Sequence, residues 1–157
     1  MTDTPLKLAA TDPADIAVLS ALLQDAVIPI SEITFLQDEA RFALVANRFR
    51  WEDAGDERVP GRIYERVRCG VTFDRVTAVR RQNLDQKRRG QVLELLAVEA
   101  GDGYVDLLFA GGATIRLDVE RILCHAEDFG EPWPTQWRPE HPTDETAPGS
   151  APDGSPG

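Results

Sequence analysis

Between Gly61 and Glu131 the chain contains no proline, so every backbone N–H in that span is free to enter a sheet ladder. The residues there alternate in polarity instead of recurring at helical spacing. Ala113, Ile115, Leu117 and Val119 fall on one face of an extended chain and Thr114, Arg116 and Asp118 on the other, which predicts a strand with one wet side. Before it come Val92 to Glu99, a Gly101-Asp102-Gly103 turn, Tyr104 to Ala110 and a Gly111-Gly112 turn. Both turns hold the glycines that positive φ requires in tight hairpins, so the segment predicts an antiparallel meander. Upstream, Arg62 to Val79 reads as one long strand, or two joined by a bend near Gly70 or Asp74, and Gln82 to Gly90 as a polar, basic loop.

The first part of the chain adds a helix to this sheet. Leu6 to Ala10 predicts a short strand, and Thr11-Asp12-Pro13-Ala14-Asp15 a helix start: Thr11 or Asp12 caps, Pro13 suits the first turn, and Asp15 complements the dipole. Ile16, Leu19, Leu23 and Val27 then form an apolar stripe up to a stop at Pro29, and a stripe without a second helix to meet is expected to face the sheet. Ile33 to Leu36 and Phe42 to Trp51 flank a polar turn and predict a hairpin, followed by an exposed charged loop over Trp51 to Gly61. Glu120 to Phe129 fits strand and helix equally, and the proline-spaced segment from Glu131 to Pro139 predicts extended, polyproline-like chain. From His141 onward no apolar residue is larger than alanine, which predicts a disordered tail over 141–157 behind a single domain over 1–140. The expected fold is therefore α+β: a strongly twisted antiparallel sheet or partly open β-barrel of seven to nine strands, with one N-terminal amphipathic helix packed on it or plugging an end.

A chain of 157 residues buries enough surface for one core without disulfide or metal staples. Cys69 and Cys124 have no spaced partners and read as two ordinary buried thiols. No apolar run is long enough to cross a membrane and no signal-peptide pattern opens the chain, so a cytoplasmic location without membrane contact is expected. Catalytic parts are missing. His125 follows Cys124 directly, but neighbouring side chains in a strand point to opposite faces and do not make a thiol–imidazole dyad. No serine occupies a nucleophile elbow, the close glycine pairs lack phosphate-loop spacing, and Asp102, Asp106, Asp118 and Glu120 have the distribution of a solvated sheet face. No cofactor or metal is expected.

Charge supplies the one functional lead. The formal net charge is −10, yet Arg41 to Arg89 holds 13 Lys and Arg against 7 Asp and Glu, leaving 4 basic and 20 acidic residues elsewhere. Within this basic island Arg62, Arg66 and Arg68 share a strand face with Tyr64, Arg80-Arg81 closes the next stretch, and Lys87-Arg88-Arg89 forms a basic loop. Such a face suits an anionic partner, either RNA or an acidic protein surface, unless neighbouring carboxylates such as Glu94, Asp106, Asp118 and Glu120 neutralise it. Trp133 and Trp137 either cap the sheet or dock a partner.

Phe129-Gly130-Glu131-Pro132-Trp133-Pro134-Thr135-Gln136-Trp137-Arg138-Pro139, with the Ile115 to Val119 strand, Leu6 to Ala10, Asp15-Ile16 and Arg48-Phe49-Arg50-Trp51-Glu52, resembles an uncharacterised family of short alphaproteobacterial proteins classed as a domain of unknown function. The resemblance spans roughly Leu6 to Pro142. It implies a cytoplasmic bacterial protein and brings no activity, cofactor or site. The residues themselves predict a non-enzymatic binding or adaptor module with a basic face. The alternative is a small-ligand barrel or weak enzyme lined by Tyr64, Cys124 or His125, and a homodimer through sheet-edge pairing is compatible with both.

Overall fold

The computed structural model describes residues 5–51, 64–84 and 90–135, and these form ten antiparallel strands, one α-helix and short 3-10 turns. Strand β1 (Lys7–Ala10) leads into helix α1 (Pro13–Leu23). Asp12 caps the helix by accepting the Asp15 N–H at 2.8 Å, and the Asp15 carboxylate accepts the Thr11 N–H at 3.0 Å. The expected start is thus observed, with Pro13 in the first turn where its missing N–H costs nothing. Ile16, Leu19 and Leu23 are buried against the sheet, each worth roughly 1.5–3 kcal/mol. Ser20 on the same helix accepts the Val98 N–H at 2.9 Å.

The helix ends earlier than its apolar spacing predicts. Gln24 turns extended, Asp25 takes a left-handed conformation (φ 63°), and Val27–Pro29 becomes strand β2. Val27 pairs with Asn47 of β4 (Arg41–Phe49) on one side and with Glu94 of β7 (Val92–Gly101) on the other. Two flanking ladders therefore take backbone groups that a further helical turn would have used, and β-branched Val27 and Ile28 suit the pleat.

Strand β3 (Ile33–Leu36) pairs with β4 as the expected hairpin. Strand β5 (Tyr64–Asp74) pairs with β4 along its length, and the bend falls at Arg75 (φ 63°), beside Asp74, before β6 (Val76–Gln82). Strands β7, β8 (Tyr104–Phe109) and β9 (Thr114–Val119) are the predicted meander. Strand β10 (Cys124–Thr135) makes Cys124 to Phe129 of the ambiguous segment a strand between β1 and β5, while Glu120 to Leu123 form a bend before it. Its ladder slips between Phe129 and Trp133 and then resumes to Thr135 opposite Tyr64, so Pro132 and Pro134 lie in a strand and not in a polyproline-like arm. Pairing with β1 has stopped at Glu127, so the prolines fall where one edge of β10 faces no strand among the described residues. Trp133 is half-buried opposite Arg66, whereas Trp137 and the expected tail lie outside the described residues.

The strand order is β1-β10-β5-β4-β2-β7-β8-β9-β6, with β3 on β4 beside β2. Strands β5 and β6 are consecutive in the chain but occupy the third and last places, so the sheet curls back toward itself without closing into a barrel. Ten strands exceed the seven to nine expected. Inside the curl Phe42, Leu44, Val71, Phe73, Leu107, Ile115 and Leu117 form one core with the buried face of α1.

Candidate binding surface

The sheet separates the basic residues that are neighbours in sequence. Arg62, Lys87, Arg88 and Arg89 lie outside the described residues. Tyr64 and Arg66 are buried near the start of β5, in company with Phe49 and Trp51. There the Arg66 guanidinium lies 5.8 Å from the Phe49 ring centre and donates to the Asn47 carbonyl at 3.0 Å. Two positions on, Arg68 is exposed opposite Phe129, itself 44 % exposed. Arg80 and Arg81 belong to β6, the far edge of the sheet.

At the end of β6 the side chains enclose an open concavity of about 570 Å³, lined by Arg80, Arg81 and Gln82 with Thr114 and Arg116 of β9 and Asp106 and Leu108 of β8. Registry explains the grouping: Arg80 faces Arg116 and Gln82 faces Thr114 across the β6–β9 ladder, and Arg116 faces Asp106 across the next. Two of the three guanidiniums are held by carboxylates. Arg80 donates to Asp118 at 2.8 and 2.9 Å, and Arg116 donates to both oxygens of Asp106 at 2.7 and 2.8 Å. Arg116 also stacks 3.9 Å from the Tyr104 ring centre, and its hydrogen bonds to Asp106 raise its pKa above the ordinary arginine value. Arg81 is different: it is exposed and has no ion-pair partner among the described residues. It also borders a second cavity of about 370 Å³, with Ile30, Ser31, Ile33, Thr34, Leu84 and Ile115.

Three buried charged residues, Arg48, Asp128 and Asp25, escaped sequence reasoning. Arg48 is fully buried and donates to both oxygens of Asp128 at 2.8 Å, and Asp128 also accepts the Leu6 N–H at 2.8 Å. Burial alone would raise the Asp128 carboxyl, but the hydrogen bonds from Arg48 and Leu6 hold it below the usual carboxylate range. The signal was present in the alternation, since Arg48 is in phase with Phe42, Leu44 and Ala46, and Asp128 with Cys124 and Ala126. Asp25, at the turn after α1, is pushed up to about 7 by burial and by the neighbouring Glu94 carboxylate, against the pull of Arg66. Nothing local in the sequence marks Asp25, because its neighbours come from β5 and β7.

The residues of the ligand-pocket alternative do not converge. Tyr64 sits with Phe49 and Trp51, Cys124 lies in the main core, and His125 is exposed on the opposite face of β10. Burial raises both thiols to about 12, which leaves them protonated and unreactive at neutral pH. A third cavity, of about 460 Å³, lies at the slip in β10 between Arg50, Glu65, Asp128 and Pro132. Arg50, the one arginine among its described lining residues, is held by Glu65 at 2.6 Å. Among the described residues no helix is long and apolar enough to cross a membrane.

A family model described as a protein of unknown function (DUF2948) matches residues 6–141. No curated protein and no solved structure matches the chain.

Proposed function

The chain belongs to the DUF2948 family, and from that premise we propose that it is a non-enzymatic binding or adaptor module that meets an acidic protein surface at the end of β6. The observation that carries this reading is Arg81, an exposed guanidinium without a carboxylate partner among the described residues, at the border of two cavities on an edge strand. Arg80 and Arg116 keep N–H groups beyond those their carboxylates take. Three guanidiniums line the larger concavity, and the two carboxylates that meet them, Asp118 on Arg80 and Asp106 on Arg116, leave the charge of Arg81 unmatched among the described residues.

Single-stranded RNA is the weaker reading for this surface. Its recognition relies on exposed rings that stack bases, and no aromatic residue is among the described residues that line the concavity. The place that favours RNA is elsewhere, where Arg68 and the exposed Phe129 face one another across β5 and β10.

The two surfaces are separated by a titration of fluorescent hexaglutamate into wild type, Arg81→Glu and Arg68→Glu at several salt concentrations. Salt-sensitive binding that weakens at least fivefold in Arg81→Glu and is unchanged in Arg68→Glu is the expected result. Equal binding by all three proteins would refute the assignment to β6.

A further inference from the structure

The sheet fails to close between β3 and β6. Among the described residues β6 pairs only with β9 and β3 only with β4, so each presents a free edge. The edges meet at one end, where the Val76 N–H of β6 donates at 2.9 Å to the carbonyl of Ala40, in the turn that follows β3. Toward the other end no ladder joins them among the described residues. There the cavity of about 370 Å³ is walled by Ile30, Ser31 and Ile33 on one side and by Arg81, Leu84 and Ile115 on the other. That volume is within the range of about 300–1,000 Å³ usual for ligand-binding pockets.

The two sides of β6 differ in chemistry. On the face outside the curl stand Arg80 and Arg116, and on the inner face the apolar side chains of Ile115, Leu84 and Ile33 border the cleft. Arg81 faces Ile115 across the β6–β9 ladder and so starts from the inner face, yet its side chain also lines the outer concavity and is within reach of both faces. A strand laid against a free edge sends successive side chains to opposite faces, and main-chain hydrogen bonds supply the affinity that side-chain pockets then direct. We infer that the partner enters the opening between β3 and β6 as an extended segment in which acidic and apolar residues alternate. Its acidic side chains meet Arg80, Arg81 and Arg116, its apolar ones enter the cleft, and its backbone pairs with β6.

This inference rests on the proposed anion-binding role of β6, and the two are tested apart with defined peptides and the full chain. The probes are a labelled peptide alternating Glu with Val or Ile, its isomer of the same composition with the acidic and apolar residues in separate blocks, an alternating peptide N-methylated at every second residue, and hexaglutamate. Ser31→Trp, an exposed position beside the cleft, obstructs the opening without touching the core. The alternating peptide is expected to bind at least tenfold more tightly than the block isomer. It loses that advantage on N-methylation and in Ser31→Trp, while hexaglutamate binds wild type and Ser31→Trp alike. If hexaglutamate and the block isomer bind as well as the alternating peptide, strand insertion is overturned and the anion-binding role stands. If no peptide binds, both readings fail.

Discussion

Asp25 is the residue whose chemistry most exceeds what its sequence context announces. Its carboxyl is raised to about 7, first by burial and then by Glu94, so the folded state holds a proton that the unfolded chain releases near pH 4. Stability is therefore full below the unfolded value and falls as pH rises toward and through 7. Chemical denaturation should find the protein roughly 2 kcal/mol less stable at pH 8 than at pH 5 from this group alone. Asp25→Asn, which tolerates the left-handed backbone, should flatten that slope and be the more stable form at pH 8; an unchanged slope would remove Asp25 as its source. Asp128 behaves oppositely, because Arg48 depends on it. Asp128→Ala leaves a buried guanidinium without its carboxylate and should cost about 3–5 kcal/mol in urea denaturation, most of it recovered when Arg48→Met is added. The sign that Arg48 is buried went unread although the β4 alternation carries it, placing Arg48 on the apolar face; Asp25 had no such sign, since its partners are brought by distant strands.

Elements with local signals were legible and those with only tertiary support were not. The α1 start, the β3–β4 hairpin and the β7–β9 meander each carry a cap or turn residue that acts over a few positions. Asp12→Ala should lower stability by about 1 kcal/mol, through loss of the bond to the Asp15 N–H, with α1 amides exchanging faster. Strand β2 has no such signal. Three residues become a strand only because β4 and β7 lie on either side, a reason that propensity cannot contain. The β7–β8 turn hides a further constraint: a side chain at Gly101 would run into the Tyr104 ring, on which Arg116 stacks. Gly101→Ala is expected to cost about 1–3 kcal/mol by overpacking and to shift the Tyr104 and Arg116 resonances; silence at Tyr104 would show that the ring is not pinned.

At the scale of the molecule, a basic island continuous in sequence becomes several separate surfaces. The reason is topological: the bend at Arg75 sends β5 into the sheet interior and β6 to its free edge. Arg66 is thereby buried, Arg68 is left on an open face, and Arg80 and Arg81 reach the unclosed side of the curl. Local alternation could place Arg80 next to Arg116 only once the β6–β9 register was known. The anionic partner proposed for β6 therefore has a definite predicted footprint. Amide shifts of the isotopically labelled full chain during a hexaglutamate titration test this most directly. Saturable shifts centred on Arg80, Arg81, Gln82, Thr114 and Arg116 are the predicted result, whereas shifts confined to the Arg68 and Phe129 face, or none at all, would contradict it.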